Sequence, residues 1–263
     1  MKLYTIMLEN MIGPALLSGI RSIFVYVLSL LLLGGSLQLK CEELHTVGFS
    51  KISSSQFKSI WQPLRFAIFS RSTHYRLAVP EGPSADQVLH ASSRDTASGI
   101  MQIISIKPTS LPILSWRWRV DKFPTVRHEG TREGDDFAAR LYILFSAAQP
   151  PQQGASPVQV FAHAHAINYL WSRELPLNQH LASHFDGRSQ MLVASSGDQA
   201  VGQWVEVSRN LVEDYRAIFK KEPPPIVGIA IMTDSDNSDS TAEAWYGDIV
   251  FSKDPDGVTP KPN

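Results

Sequence analysis

Arginine, tyrosine and aspartate recur two residues apart in three stretches of this chain. The pairs are Arg117 and Arg119 in LSWRWRVD, Arg140 and Tyr142 in DFAARLYILF, and Tyr246 and Asp248 in AEAWYGDIVF. On a β-strand, residues two apart project from the same face. If the three strands adjoin, the six side chains share one sheet face. Gly228, Ala230, Ala138 and Ala244 would leave room among them. A guanidinium is a rigid planar donor fork, and a phenol supplies a stacking plane and a hydroxyl. A face so equipped suits a polyhydroxylated or anionic ligand. The same spacing also describes a solvated face whose charges pair across strands for ~0.2–1 kcal/mol each.

Two acidic turns offer further chemistry. In Glu133-Gly134-Asp135-Asp136, adjacent carboxylates lead into the strand that carries Arg140. They could serve as acid and base or bind a cation. Neighbours on a strand point to opposite faces, however, so the simpler reading is one Asp closing a turn and the other pairing with an Arg. In the second turn, Asp234, Asp236 and Asp239 make an oxygen-rich loop that could hold Ca²⁺. Counted from Asp234, the positions that an EF-hand reserves for Gly and Glu are Asp239 and Trp245, so an EF-hand is excluded. A plain hairpin turn is the alternative. His163 and His165 form an isolated HxH pair, which is a weak metal signal. There is no G-x-S-x-G, P-loop or GxGxxG motif. No other cofactor is implied.

These residues need strands to hold them. Ile226 to Met232 and Ala242 to Phe251 flank the second acidic turn and read as two antiparallel strands. Alternation assigns Val227, Ile229 and Ile231 to one face of the first. It assigns Trp245, Ile249 and Phe251 to the core of the second, with Ala244, Tyr246 and Asp248 opposite. In LSWRWRVD it buries Leu114, Trp116, Trp118 and Val120, and in the 136–145 stretch Phe137, Ala139, Leu141, Ile143 and Phe145. Further strands are expected at 73–79, 87–92, 99–106, 158–171, 191–193 and 203–207, with Pro63 confining its own strand to an edge. The 149–157 stretch reads as a loop. Strand-length pieces every ~8–12 residues between turn residues indicate a mainly β fold, an antiparallel sandwich. One helix is expected near 210–220. Leu211, Val212, Tyr215, Ile218 and Phe219 form its stripe, Asn210 caps it with Glu213 as capping-box partner, and Pro223 to Pro225 end it.

A chain of 263 residues with 43% hydrophobic and 19% charged residues can bury one sizeable core. Its net charge of -1 and lack of basic runs argue against nucleic acid. A single cysteine, Cys41, excludes an intrachain disulfide. The apolar run Ile23 to Leu33 after Arg21, followed by small residues, has the form of an export signal over 1–41, either cleaved or retained as a membrane anchor. Lys40 directly before Cys41 fits a lipoprotein site poorly. The domain is assigned to 42–253 and a disordered tail to 254–263, and the expected location is periplasmic or secreted.

Taken in order, LSWRWRVD, REGDDFAARLYILF, NYLW, the helix with its triple proline, and MTDSDNSDSTAEAWYGDIVF resemble the bacterial domain-of-unknown-function family numbered 3047. The resemblance covers roughly 49–251 and implies an exported β-sandwich with no established activity. The closing WYGDIVF is also similar to the last strand of jelly-roll carbohydrate-binding modules, at the level of architecture only. The preferred reading is an exported, non-catalytic protein that binds a carbohydrate or other polar envelope ligand on one sheet face. Alternatives are a polysaccharide hydrolase or lyase using Asp135 or Asp136 with Arg140, and an envelope structural or protein-interaction domain. Oligomeric state is not legible.

Overall fold

Alternating apolar and polar residues make strands the main regular element among the described residues. A computed structural model describes residues 44–65, 71–81, 86–146, 154–185 and 187–255. The expected leader over 1–41, Cys41 and the tail beyond 255 lie outside them. In chain order the elements are β1 (Leu44–Val47), α1 (Ser54–Ile60), β2 (Gln62–Arg65), β3 (His74–Ala78), β4 (Val88–Arg94), β5 (Ala97–Ile106), β6 (Ile113–Lys122), β7 (Ala139–Phe145), α2 (Pro157–His163), β8 (His165–Ser172), β9 (His180–Ala182), β10 (Ser189–Ser196), β11 (Val205–Asn210), α3 (Leu211–Phe219), β12 (Ile226–Asp234) and β13 (Thr241–Ser252). Among the described residues, no helix is long and apolar enough to cross a membrane.

The strands form two sheets. Sheet A runs β11-β6-β13-β4-β3, with β1 added along β13, and sheet B runs β2-β5-β12-β7-β8-β10-β9. The fold is therefore the expected mainly β sandwich, and among the described residues the pairing is antiparallel except for the parallel pair β8 and β10. The main core lies between the sheets. Leu114, Trp116, Trp118 and Val120 enter it from β6, and Ala139, Leu141, Ile143 and Phe145 from β7, as alternation requires. Trp118 is fully buried, its ring edge-on to Trp116 at 5.2 Å. Pro63 sits on β2, an edge of sheet B, where its missing N–H costs no ladder bond.

Three helices occur among the described residues where one was expected. α3 begins at Asn210 as predicted. The Asn210 side chain accepts from the N–H groups of Val212 and Glu213, and Leu211, Val212 and Tyr215 are buried. α1 and α2 have only seven residues each, too few to show a helical stripe. Each starts with a Ser-x-x-Gln capping box, Ser53 with Gln56 and Ser156 with Gln159. That signal was present in the sequence. So the 149–157 stretch, largely outside the described residues, ends by entering a helix, and 158–171 splits into that helix and β8.

Alternation fails where a ladder is irregular. Between Tyr246 and Ile249, β13 places Gly247 and Asp248 opposite the single residue Arg117 of β6. The extra residue turns Tyr246 and Ile249 to the same side. Ala244, Tyr246, Ile249 and Phe251 face the core, and Trp245 lies on the outer face of sheet A. The expected core role of Trp245 and outward role of Tyr246 are thus reversed. A bulge between Ile226 and Gly228 likewise sends Val227 away from Ile229 and Ile231. Phe137, just before β7, joins Leu170, Met191 and Val193 on the far side of sheet B, and Ala138 takes the core position.

Candidate functional site

The six predicted ligand residues do not form one groove. Arg117 and Arg119 project from the outer face of sheet A. Arg117 lies over the Trp204 ring at 4.9 Å and pairs with Asp86 at 3.6 Å. Arg119 gives two 2.6 Å hydrogen bonds to Asp121 and lies over Trp245 at 5.2 Å. Asp248 accepts from the Phe49 and Ser50 N–H groups and the Ser50 hydroxyl, at 2.5, 3.0 and 2.5 Å. Tyr246 is inside the sandwich, its hydroxyl donating to the Met232 carbonyl at 2.9 Å. Only Arg140 and Tyr142 stay together, on β7 in the other sheet. The small residues are spoken for as well. Ala138 and Ala244 are core, and a Cβ on Gly228 would meet the Met101 methyl at 2.5 Å.

Arg140 and Tyr142 line a cleft of about 470 Å³ on the outer face of sheet B. The volume is in the range of roughly 300–1,000 Å³ usual for ligand pockets. β7 contributes Arg140 and Tyr142, and β12 contributes Met232 and Asp234. Asp236 and Asn237 come from the acidic turn after β12, and Asp135 from the turn before β7. One wall is α2, with Val158 and Phe161. The other is the β9–β10 connection, with Phe185 and Arg188. The two β9–β10 residues and Phe161 carried no sequence signal of a site.

A buried ion triad forms part of the lining. Arg140 is 3% exposed. Its guanidinium donates to the Asp135 side chain at 2.8 Å, to the Asp135 carbonyl at 2.6 Å and, through Nε, to Asp234 Oδ1 at 3.0 Å. Asp234 Oδ2 lies 2.9 Å from Arg140 Nη2. Asp234 also accepts from the Phe137 N–H at 2.9 Å. Gly134 lets the turn reach this position, since a Cβ there would strike the His128 carbonyl oxygen at 2.1 Å.

Burial dominates the electrostatics. It pushes the Asp234 carboxyl up to about 7, with Arg140 pulling against it and Asp136 and Asp135 adding to the rise. Burial also opposes the Arg140 charge, but Asp135 and Asp234 more than offset it and hold the guanidinium well above its ordinary value. The Tyr142 phenol is raised by burial. Asp236 is raised too, first by burial and then by its neighbour Asp136.

The two acidic turns meet, which neither stretch revealed by itself. Carboxylate oxygens of Asp136, Asp234 and Asp236 lie within 4.8 Å of one another, and Asp239 is outside this group. The set that could hold a cation is therefore not the predicted Asp234, Asp236 and Asp239. Asp136 is already occupied. It accepts from the Asn237 N–H at 3.2 Å, the Ser238 N–H at 2.8 Å and the Ser238 hydroxyl at 2.5 Å. With Arg140 on Asp234 and neutral donors on Asp136, two of the three members already have partners within the protein. The HxH pair is split, His163 ending α2 and His165 opening β8. His163 Nδ1 lies 2.7 Å from the Gln159 carbonyl, and His165 stacks on Phe219 at 5.4 Å.

The family model described as "Protein of unknown function (DUF3047)" matches residues 59–250. No curated protein matches the chain in sequence. Several solved structures are similar at low identity. The glycoside hydrolase domain of Endo-D from Streptococcus pneumoniae R6 aligns with a TM-score of 0.38 and 8% identity over 74% of this chain, which spans only 22% of that one. Endoglucanase cel12A from Rhodothermus marinus aligns with a TM-score of 0.40 and 12% identity, over 73% of this chain and 96% of that one. A family 30 carbohydrate binding module aligns with a TM-score of 0.38 and 8% identity, over 77% and 89%. Likeness this distant says nothing of what the present chain binds or does.

Proposed function

Since the chain belongs to this family of unknown function, its own cleft has to carry the functional reading, and we propose that it is an exported, non-catalytic protein that binds a carbohydrate or other polar envelope ligand there. The supporting observation is the composition of the cleft. Aromatic rings from Tyr142, Phe161 and Phe185 stand beside the Arg140, Asp135 and Asp234 triad. A sugar presents an apolar ring face and a rim of hydroxyls, and this lining offers surfaces for both. Phe185 is 59% exposed, and its ring is backed by the Arg132 guanidinium at 5.3 Å. Export is supported by the apolar run after Arg21.

A glycan array probed with the purified protein tests this reading, followed by titration of each hit against Phe185→Ala. The variant should weaken binding about tenfold while changing stability by less than about 0.5 kcal/mol, as is usual for exposed positions. An array without hits, or hits that ignore Phe185→Ala, would count against the cleft.

A hydrolytic reading has one observation in its favour, the Asp234 carboxyl at about 7 in a cleft that also holds Asp236. Against it, Asp234 already spends both oxygens on Arg140 and the Phe137 N–H. Reducing-end release from the array hits would reveal hydrolysis if it occurs.

A further inference from the structure

Under the floor of the cleft lies a polar group that the protein leaves unused. It narrows the ligand class, provided that the cleft is a carbohydrate site as proposed above. Ser189 of β10 lines the cleft together with Arg140 and Tyr142 of β7. β8 runs between those two strands, so it underlies the cleft there. Ile167 and Tyr169 of β8 enter the main core, while Ala166 and Leu170 pack in apolar clusters on the outer face. Asn168, between them, points outward too. It stands opposite Tyr142 in one ladder and Met191 in the other, and Ala166 stands opposite Ser189. The Tyr142 ring is drawn the other way, edge to face at 5.4 Å with Phe161 of α2, which packs over β2, β5 and β12.

Asn168 is 2% exposed, and its side-chain oxygen is buried without a hydrogen-bond partner. Buried polar atoms almost always have one, because an acceptor stripped of water and given nothing in return destabilises the fold. Three side-chain nitrogens among the described residues share this state. Two belong to Trp61 and Trp116, whose rings pack the main core, and one to His90, set against Trp245 in the opposite sheet. Those rings bring apolar packing that offsets an idle nitrogen. A carboxamide brings none, and a leucine would sit among Ala166, Leu170 and Met191 without the cost.

What completes Asn168 is a donor, and the surroundings select its kind. Water or a sugar hydroxyl can donate to the oxygen, but each carries lone pairs of its own. Of the outward neighbours, Ala166, Leu170 and Met191 have no hydrogen to give them, and Tyr142 has one only at the far tip of its ring. A secondary amide differs. Its N–H carries no lone pair to satisfy. In the trans form the acyl methyl lies on the same side as the N–H and the carbonyl on the other. Such a group turns N–H and methyl together toward the floor and its carbonyl toward the open cleft.

We infer that the ligand is an N-acetylated sugar, its acetamido N–H given to the Asn168 oxygen and its methyl set beside Ala166 and Met191. In calorimetric titration with oligomers of one length, N-acetylglucosamine should bind at least about tenfold tighter than glucosamine or glucose. Asn168→Leu should bring the acetylated oligomer down to the affinity of the other two. It should also raise the urea midpoint of the ligand-free protein, since it removes an acceptor that nothing satisfies.

Equal or tighter binding of the glucosamine or glucose oligomer would overturn the acetamido assignment while leaving a carbohydrate cleft in place. A preference that survives Asn168→Leu would overturn the docking position. A lower urea midpoint for Asn168→Leu, or its failure to fold, would mean that the amide is satisfied within the fold, by a buried water only, and would overturn its assignment to a ligand. Failure of all three oligomers to bind, with the protein folded by circular dichroism, would remove the carbohydrate reading along with the inference.

Discussion

Arg140 shows how far a side chain's role depends on residues remote in sequence. Its neighbour Asp135 is five positions away, but its second partner Asp234 is 94 away, joined to it only because β12 pairs with β7. The sequence displayed each acidic turn as a separate feature. Nothing in either turn told that they meet, because strand pairing across that distance leaves no local pattern. The triad holds one cation between two carboxylates, with Asp136 close by, so the cluster favours an extra proton. Raising the Asp234 carboxyl from an unfolded value near 3.8 to about 7 stabilises the fold below pH ~4, and that contribution is lost as pH rises through about 7. Urea melts between pH 4 and 8 should therefore show stability falling with pH, and Asp234→Asn should flatten that slope. A wild-type slope of opposite sign would mean that Arg140 overrides burial. Arg140→Met should cost about 3–5 kcal/mol, because it strands two buried carboxylates.

At the scale of elements, the strand rule succeeded where the ladders are regular and failed where a residue is inserted. β6 and β7 sorted correctly, residue by residue, into core and outer faces. β13 did not, because a bulge is invisible to a period of two. Its signature was nevertheless present as Gly247, since a Cβ there would meet the Arg117 side chain at 2.6 Å. The short helices were lost for another reason, their length, although α2 supplies a wall of the cleft. The reversal at β13 has a direct test in Tyr246→Phe. The hydroxyl donates to the Met232 carbonyl at 2.9 Å, lies 2.9 Å from the Thr233 hydroxyl and accepts from the Arg140 N–H at 3.3 Å. Removing it inside the core should cost about 1–3 kcal/mol in denaturant melts, the usual penalty for stranded buried polar groups. A neutral result would return Tyr246 to the outer face that alternation first assigned to it.

On the scale of the whole molecule, the described domain is closed by a contact between its two ends in sequence. β1 runs antiparallel along β13, Leu44 opposite Ser252 through Val47 opposite Ile249. Immediately after β1, the Asp248 carboxylate gathers the Phe49 and Ser50 N–H groups and the Ser50 hydroxyl. Gly48 permits the approach, since a Cβ there would lie 2.9 Å from the Asp248 oxygen. The sequence placed Asp248 in a ligand site because an outward carboxylate on a strand looks the same whether it meets solvent, a sugar or the chain's own backbone. Here it fastens the first strand to the last. Four ladder residues alone are a weak hold at an exposed edge, where Leu44 to Thr46 are solvent-accessible. Asp248→Ala should therefore cost at least the about 1.5–3 kcal/mol of one charge-assisted hydrogen bond. The loss should be local before it is global. In native-state hydrogen exchange, the Phe49 and Ser50 amides should lose protection first and the β1 amides with them, while β7 and β12 keep theirs. Asp248→Asn, which retains an acceptor without the charge, should fall between. Uniform loss of protection across both sheets would instead make this closure part of the cooperative core, with the two ends of the domain folding as one unit.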